Sequence, residues 1–272
     1  VDPFITYVSH SGTTLKFRGR FFRANNKNST NQESKADSYY REYQFQQKIA
    51  ENYNLTLGAT ETYSRIKAEL YHDHDGNNLA FYAQADAKIS KWSISLGGRL
   101  EHNRIDTMRD KYTPVLRSGL NYNIAGETYL RASYGQGYRY PAIAEKFIST
   151  QISGLDIFPN DSLKSEKGFS TEIGVMQGIK IGNWKGYFDA AAFYMEYHDM
   201  IEFTFSQWKP FYIDFTTIPW TFHQNIGFKA INIGDTKIRG IDLSLSGEGT
   251  IGPLQISVLG GYTYVDPKVL SY

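Results

Sequence analysis

Residues 128–146, TYLRASYGQGYRYPAIAEK, decide the fold. Leu130, Ala132 and Tyr134 alternate with Tyr129, Arg131 and Ser133, the period-two pattern of a strand with one apolar and one polar face. The alternation stops at Gly135 and Gly137. A Tyr-Arg-Tyr-Pro run and small residues follow, which predicts that the chain leaves its sheet there and opens a connection reaching about residue 167.

The same alternation recurs on both sides of this stretch. Leu15, Phe17 and Phe21 alternate with Lys16, Arg18 and Arg20; Tyr39, Tyr43, Phe45 and Ile49 share a face opposite Gln44, Gln46 and Lys48. Leu79, Phe81, Ala83, Ala85, Ala87 and Ile89 oppose Tyr82, Gln84, Asp86 and Lys88. After a tight Ser90-Lys91 turn, Trp92, Ile94, Leu96 and Leu100 oppose Ser93, Ser95, Arg99 and Glu101, which makes a hairpin of two long strands. Further strands are read around 116–124, 169–181, 191–203, 241–245 and 254–264, the third with Ala191, Phe193, Met195, Tyr197, Ile201 and Phe203 on one face. Polar connections at 25–37, 72–78, 106–111 and 206–225 alternate with short turns at 51–53, 90–91, 125–127, 182–183 and near Gly249.

These runs reach or exceed about ten residues, the length at which a tilted strand crosses a bilayer. Short turns at one end and long loops at the other are the asymmetry of an outer-membrane barrel, whose short turns face the periplasm. Trp92 and Trp184 stand beside short turns, where the inner aromatic girdle belongs. The fold class read from these patterns is all-β: a transmembrane antiparallel β-barrel of about twelve strands.

Composition agrees. Aromatic residues make up 15% of the chain, with 21 Tyr, yet the mean hydropathy of -0.46 resembles that of a soluble protein. A barrel reconciles the two, because its lipid face takes only every second residue. No run of about 18 apolar residues offers a transmembrane helix, and Val1-Asp2-Pro3-Phe4 has neither the basic start nor the apolar core of a signal peptide. A net charge of +1 argues against nucleic acid as a partner, and the absence of Cys excludes disulfides and thiolate chemistry.

Ser133-Tyr134-Gly135-Gln136-Gly137-Tyr138-Arg139-Tyr140-Pro141, followed by Asn160-Asp161-Ser162-Leu163-Lys164-Ser165-Glu166, resembles the strand-to-loop segment of TonB-dependent outer-membrane receptors. The segment 168–203 resembles the paired strands that follow it in that family, and Asn232-Ile233-Gly234 to Ile241-Asp242 resembles a later strand. The wording is most like receptors of the Bacteroidota group. The resemblance implies a larger barrel of about twenty-two strands around a plugged lumen. On that expectation, residues 1–272 are part of one receptor barrel domain, without plug, signal peptide or final strands.

It also implies energy-coupled import of a scarce large nutrient. A ferric siderophore or other iron chelate comes first, then haem, cobalamin or an oligosaccharide. Haem receptors share a related Phe-Arg-Ala-Pro box. The implied partners are outer-membrane lipid, a TonB-type energy-coupling protein acting through the plug, the nutrient, and a surface lipoprotein if the nutrient is an oligosaccharide. The implied location is the outer membrane of a Gram-negative bacterium. No catalytic set and no cofactor are expected, and no Ser/His/Asp spacing recurs.

Inward-facing Lys16, Arg18, Arg20, Arg99, Arg117 and Arg131 offer a basic lumen to an anionic ligand; the bland alternative pairs them with lumen or plug carboxylates such as Glu101 and Glu172. The loop carrying Trp208, Phe211, Tyr212, Phe215, Trp220, Phe222 and His223 is a candidate ligand platform, lid or partner surface, against the alternative that its rings pack on one another. Ser133, Tyr134, Gly135, Gly137, Tyr138, Arg139, Pro141, Leu163 and Glu166 are expected to fix the strand's exit rather than touch ligand. His72-Asp73-His74-Asp75-Gly76 has metal-ligand residue types on a loop tip, but a plain polar turn accounts for it and no metal site is assigned. The rival class is a soluble or surface β-sandwich that binds carbohydrate, in which the outward apolar residues must meet a second sheet.

Overall fold

The computed structural model describes residues 1–269 apart from 28, 30, 31, 153, 217, 220 and 224; the side chains of 221–223 and 251 also lie outside the description. The first strands are β1 (Phe4–Val8), β2 (Thr13–Asn26), β3 (Ser34–Ala50), β4 (Tyr53–Ala68), β5 (His74–Ile89), β6 (Trp92–Ile105), β7 (Met108–Arg109), β8 (Thr113–Ala125) and β9 (Thr128–Arg139). A short helix α1 (Ile143–Phe147) leads to β10 (Thr150–Ile152), β11 (Leu155–Phe158), β12 (Glu166–Ile181) and β13 (Trp184–His198). The remaining strands are β14 (Ile201–Gln207), β15 (Tyr212–Asp214), β16 (Thr221–His223), β17 (Ile226–Asn232), β18 (Thr236–Ile251) and β19 (Leu254–Val269).

Among the described residues, one antiparallel path runs β1-β2-β3-β4-β5-β6-β8-β9-β12-β13-β18-β19, with β7 paired to β6 as a spur. A smaller sheet, β10-β11-β17-β14, and the hairpin β15-β16 stand at the long-loop end. From β2 onward the strands of the main path run from 12 residues in β9 to 17 in β3, longer than a tilted strand needs to cross a bilayer. Several two-residue turns carry their first residue at positive φ, among them Ser90 at 54° and Gly182 at 58°, as tight hairpins demand.

Cross-strand pairing sorts the side chains onto two faces. Leu57, Ala83, Gly98 and Leu116 form one row of the apolar face. Ring pairs brace it: Phe17–Tyr43 at 5.1 Å, Phe21–Tyr39 at 5.0 Å and Tyr134–Phe169 at 5.9 Å between centroids. At the short-turn end Trp92 lies 4.2 Å from Tyr122, and Trp184 covers Gly186 and Gly247, leaving no room for a Cβ at either. Leu96 and Ile173 on this face are 58% and 57% exposed. Among the described residues no second sheet lies over them as a β-sandwich would require, whereas a lipid-facing surface requires no such cover.

Several boundaries differ from those the sequence suggests. Gly135 and Gly137 do not end their strand: they pair with Ser170 and Gly168, and β9 runs on to Arg139. Glycine removes a side chain but keeps both ladder hydrogen bonds. The polar stretch 72–78 is largely strand and 25–37 is strand at both ends, since β2 reaches Asn26, β3 starts at Ser34 and β5 starts at His74; beyond the bilayer a strand has no need of apolar residues. The run read as continuous through Phe203 breaks at Asp199, whose φ is 55°, and Ile201–Gln207 joins the smaller sheet. Ala191, Phe193 and Met195 do share a face, but it is the polar one, which also carries Asp189. The last hairpin turns at 252–253 rather than near Gly249.

Candidate functional site

The polar face carries a band of charge built by strand alternation. Arg18 lies 3.8 Å from Glu42, and Arg20 forks onto Asp2 at 2.9 and 3.2 Å. Arg99 donates to Glu101 at 2.6 Å and to Thr60 at 2.9 Å, while Tyr82 donates to Glu42 at 2.9 Å. Arg131 donates to Glu172 at 3.0 Å and also to Asp189, tying β9 to β12 and β13.

Arg117 differs. It is exposed, has no carboxylate within ion-pair reach among the described residues, and stands in a cross-strand row between Gly97 and Gly135. With Tyr82, Arg99, Glu101, Tyr138 and Gln84 it lines a recess of about 550 Å³. Lys16 likewise has no carboxylate partner among the described residues. The face is therefore of mixed sign, and Arg117 and Lys16 are among its cations that lack a carboxylate partner in the described residues.

The motif residues form a clasp at the long-loop end. Arg139 and Glu166 are directly paired across β9 and β12. The same guanidinium donates to both oxygens of Glu145 on α1 at 2.9 and 2.8 Å, and Glu145 caps the helix start by accepting from the Ala142 N–H at 2.7 Å. One oxygen of Glu166 accepts from the Ile201 N–H at 2.6 Å, reaching β14. Pro141 is fully buried, and Leu163 is nearly so.

Lys146 is 3% exposed and donates to the carbonyls of Asp161 and Leu163 at 2.7 and 3.0 Å. Burial holds its ammonium below the ordinary lysine range. Asn160 donates to the Ala230 carbonyl at 2.8 Å, and Asn232 pairs with the backbone of Lys164 and donates to the Asp199 carbonyl at 2.6 Å. These amides tie the smaller sheet to the wall.

Asp110, before β8, accepts from Ser165 at 2.6 Å and from Tyr138, which also accepts from Asn103 at 3.3 Å. Burial pushes the Asp110 carboxyl up, but the bonds from Ser165, Tyr138 and the Lys111 N–H outweigh it and hold the group below its ordinary value. Sequence reasoning missed Asp110, Glu145 and Lys146. Glu145 and Lys146 end the opening stretch, and their signal is the helix-capping position of Glu145 three residues after Ala142.

The aromatic loop splits in two. Trp208 donates to the Gly227 carbonyl at 3.0 Å, and the Lys229 ammonium sits 5.6 Å above its ring, so it is part of the smaller sheet. Phe211, Tyr212 and Phe215 are exposed around the hairpin β15-β16. Trp220 lies outside the described residues, as do the side chains of Phe222 and His223. His74 is engaged with Asp106 at 2.6 Å and stacks on Phe147 at 3.9 Å. Among the described residues no group of three or more metal-ligand side chains converges.

Comparison with known proteins bears on both face and clasp. No match was found among curated proteins. The siderophore receptor PirA from Pseudomonas aeruginosa superposes with a TM-score of 0.79 at 13% identity, over 98% of this chain and 49% of that one. The alcaligin outer-membrane receptor FauA from Bordetella pertussis gives 0.59 at 17% identity, over 98% and 46%. The Serratia marcescens hemophore receptor HasR, solved with its hemophore and haem, gives 0.64 at 10% identity, over 96% and 53%. The chain thus spans about half the length of these structures, and the likeness shows the fold. The family model for the TonB-dependent receptor-like β-barrel matches residues 4–271, and with its long-stranded antiparallel sheet and its motif clasp the chain belongs to that family.

Proposed function

We propose that the protein takes up a scarce iron chelate across the outer membrane of a Gram-negative bacterium, a ferric siderophore before haem, cobalamin or an oligosaccharide. The observation that carries this reading is Arg117, a cation on the lumen face without a carboxylate partner among the described residues, between two glycines that leave space around it. Ferric chelates carry oxyanion donors, and a planar guanidinium suits them better than a point charge does. Lys16 adds a second cation, whereas Arg18, Arg20, Arg99 and Arg131 serve the wall itself. Exposed Phe211 and Tyr212 supply a platform at the outer mouth. The role is capture and passage, with no chemistry performed on the cargo. The working partners are membrane lipid, a plug in the lumen and a TonB-type energy-coupling protein; a surface lipoprotein belongs only to the oligosaccharide case.

Uptake of radio-iron as ferric citrate, a ferric catecholate or haem tests the reading in cells with and without the receptor, and again without the energy-coupling protein. Accumulation of one chelate that needs both proteins is the expected result. No receptor-dependent accumulation of any of them, or a protein that fractionates with the soluble pool, overturns it.

A further inference from the structure

The apolar face changes character near the long-loop end. One row crosses β2 to β5 as Arg23, Asp37, Arg65, Asp75. Its signs alternate, and Arg23 forks onto Asp37 at 2.5 and 3.0 Å. The row on its membrane side crosses β2 to β7 as Phe21, Tyr39, Tyr63, Asn77, Arg104, Arg109. It begins with three aromatic rings, as an interfacial girdle does, and ends on two arginines directly opposite one another.

Like charges directly opposite across strands repel. Neither Arg104 nor Arg109 has a carboxylate within ion-pair reach among the described residues, and the Asn77 amide beside them is turned to Glu61 at 3.1 Å. The pattern repeats two rows further out, beyond the Arg23 row, where Lys35 faces Lys67; of the two, only Lys67 has a carboxylate in reach among the described residues, Asp73 at 3.5 Å. On β13, β18 and β19 the cations of this face are matched, with Arg239 on Asp266 at 2.9 Å and Lys237 on Glu196 at 3.8 Å. Among the described residues, the arc from β3 to β7 thus holds like-charged pairs directly opposite one another, Arg104 with Arg109 and Lys35 with Lys67.

Two rows below the arginine pair, Phe81 faces Leu100, both exposed on the apolar face. A molecule with acyl chains against that surface would carry its head group to the height of the arginines. We propose that Arg104 and Arg109 together bind the phosphate of an outer-leaflet glycolipid, with Lys35 and Lys67 as a second cationic point on the same arc. The assignment follows from charge complementarity and from continuity with the lipid-facing surface. It rests on the outer-membrane placement above, but not on the identity of the cargo.

The test uses the full-length receptor purified in detergent and titrated with diphosphoryl lipid A, its dephosphorylated form, and inorganic phosphate. Wild type should prefer the phosphorylated lipid by about tenfold or more, and the preference should weaken as salt is raised. R104A/R109A should lose most of it, the single variants R104A and R109A part of it, R104K/R109K should keep most of it, and K180A at the short-turn end should not differ from wild type. Each variant is first checked for the heat-modifiable gel shift of a folded barrel, and the single variants carry the test if the double one does not fold. Equal affinity for both lipids, unchanged binding in the folded alanine variants, or equally tight binding of free phosphate would overturn the proposal. Membrane fractionation and iron uptake, read separately, report on the receptor reading instead.

Discussion

Arg139 and Glu166 meet side-on across β9 and β12: Nε donates to Oε2 at 2.5 Å and Nη2 to Oε1 at 2.8 Å. Two parallel bonds fix orientation as well as distance, which an ammonium in place of the guanidinium cannot do.

Glu166→Ala should therefore cost more than the loss of one ion pair. It strips Arg139 of one of its two carboxylate partners, leaving only Glu145, and leaves the Ile201 N–H without its acceptor, a loss of about 2–3 kcal/mol. Urea unfolding of the full-length receptor in detergent, followed by tryptophan fluorescence, would show it. R139K should fall between wild type and E166A; an R139K midpoint equal to wild type would show that the fork is dispensable.

Lys146→Ala leaves two buried carbonyls without donors and opens space beneath the loop, at a cost of about 2–4 kcal/mol. Lys146→Met fills the space but not the hydrogen bonds, so it should recover only part of the loss in the same unfolding experiment.

Acid should loosen the clasp through Asp110. A carboxyl held below its ordinary value in the folded protein contributes stability at pH values above its unfolded pKa, near 3.8, and that contribution fades as the pH falls through the lower folded value. D110N should flatten the stability profile in that acid range, and an unchanged profile would place the acid sensitivity elsewhere.

Gly168 on β12 and Gly135 on β9 should respond differently to a methyl group. A Cβ on Gly168 would come 2.5 Å from the Glu196 carbonyl, whereas one on Gly135 meets nothing nearer than Ser170 Oγ at 3.8 Å. G168A should lose about 1–3 kcal/mol as the β12–β13 ladder shifts, and G135A should fold like wild type. If G135A folds normally yet weakens chelate uptake, the gap beside Arg117 is used by the cargo or the plug.

Arg131→Ala and Arg117→Ala should separate stability from transport. The first strands Glu172 and Asp189 without their cation, lowering the unfolding midpoint; the second leaves no partner behind and should change only uptake. Equal losses of stability in both would show that Arg117 has a structural role.

The faces of the sheet were legible in the sequence because alternation is a local property. Trp92 with Ile94, and Arg99 with Glu101, needed only their neighbours to be assigned. Strand ends were less legible, since Asn25 or Asn77 pairs through its backbone whatever its side chain prefers. Gly135 and Gly137 misled for a related reason, as the partner strand that keeps them paired starts 27 residues beyond Arg139, at Glu166. Of the clasp, Arg139, Pro141, Leu163 and Glu166 were visible as a motif. The bonds of Asn160 to Ala230 and of Asn232 to Lys164 span 70 and 68 residues, and no local pattern announces such a pairing.

The parallel pairing of β11 with β17 imposes an order of assembly. Asp156 meets Gly227 only after β12, β13 and the 201–225 excursion have been laid down between them, and closing a connection of that length is slow compared with zipping a hairpin. The wall from β8 to β13 can grow strand by strand, each pairing with one already in place. The small sheet above it is finished only when β17 arrives, so the outer rim is the last part of this segment to take shape.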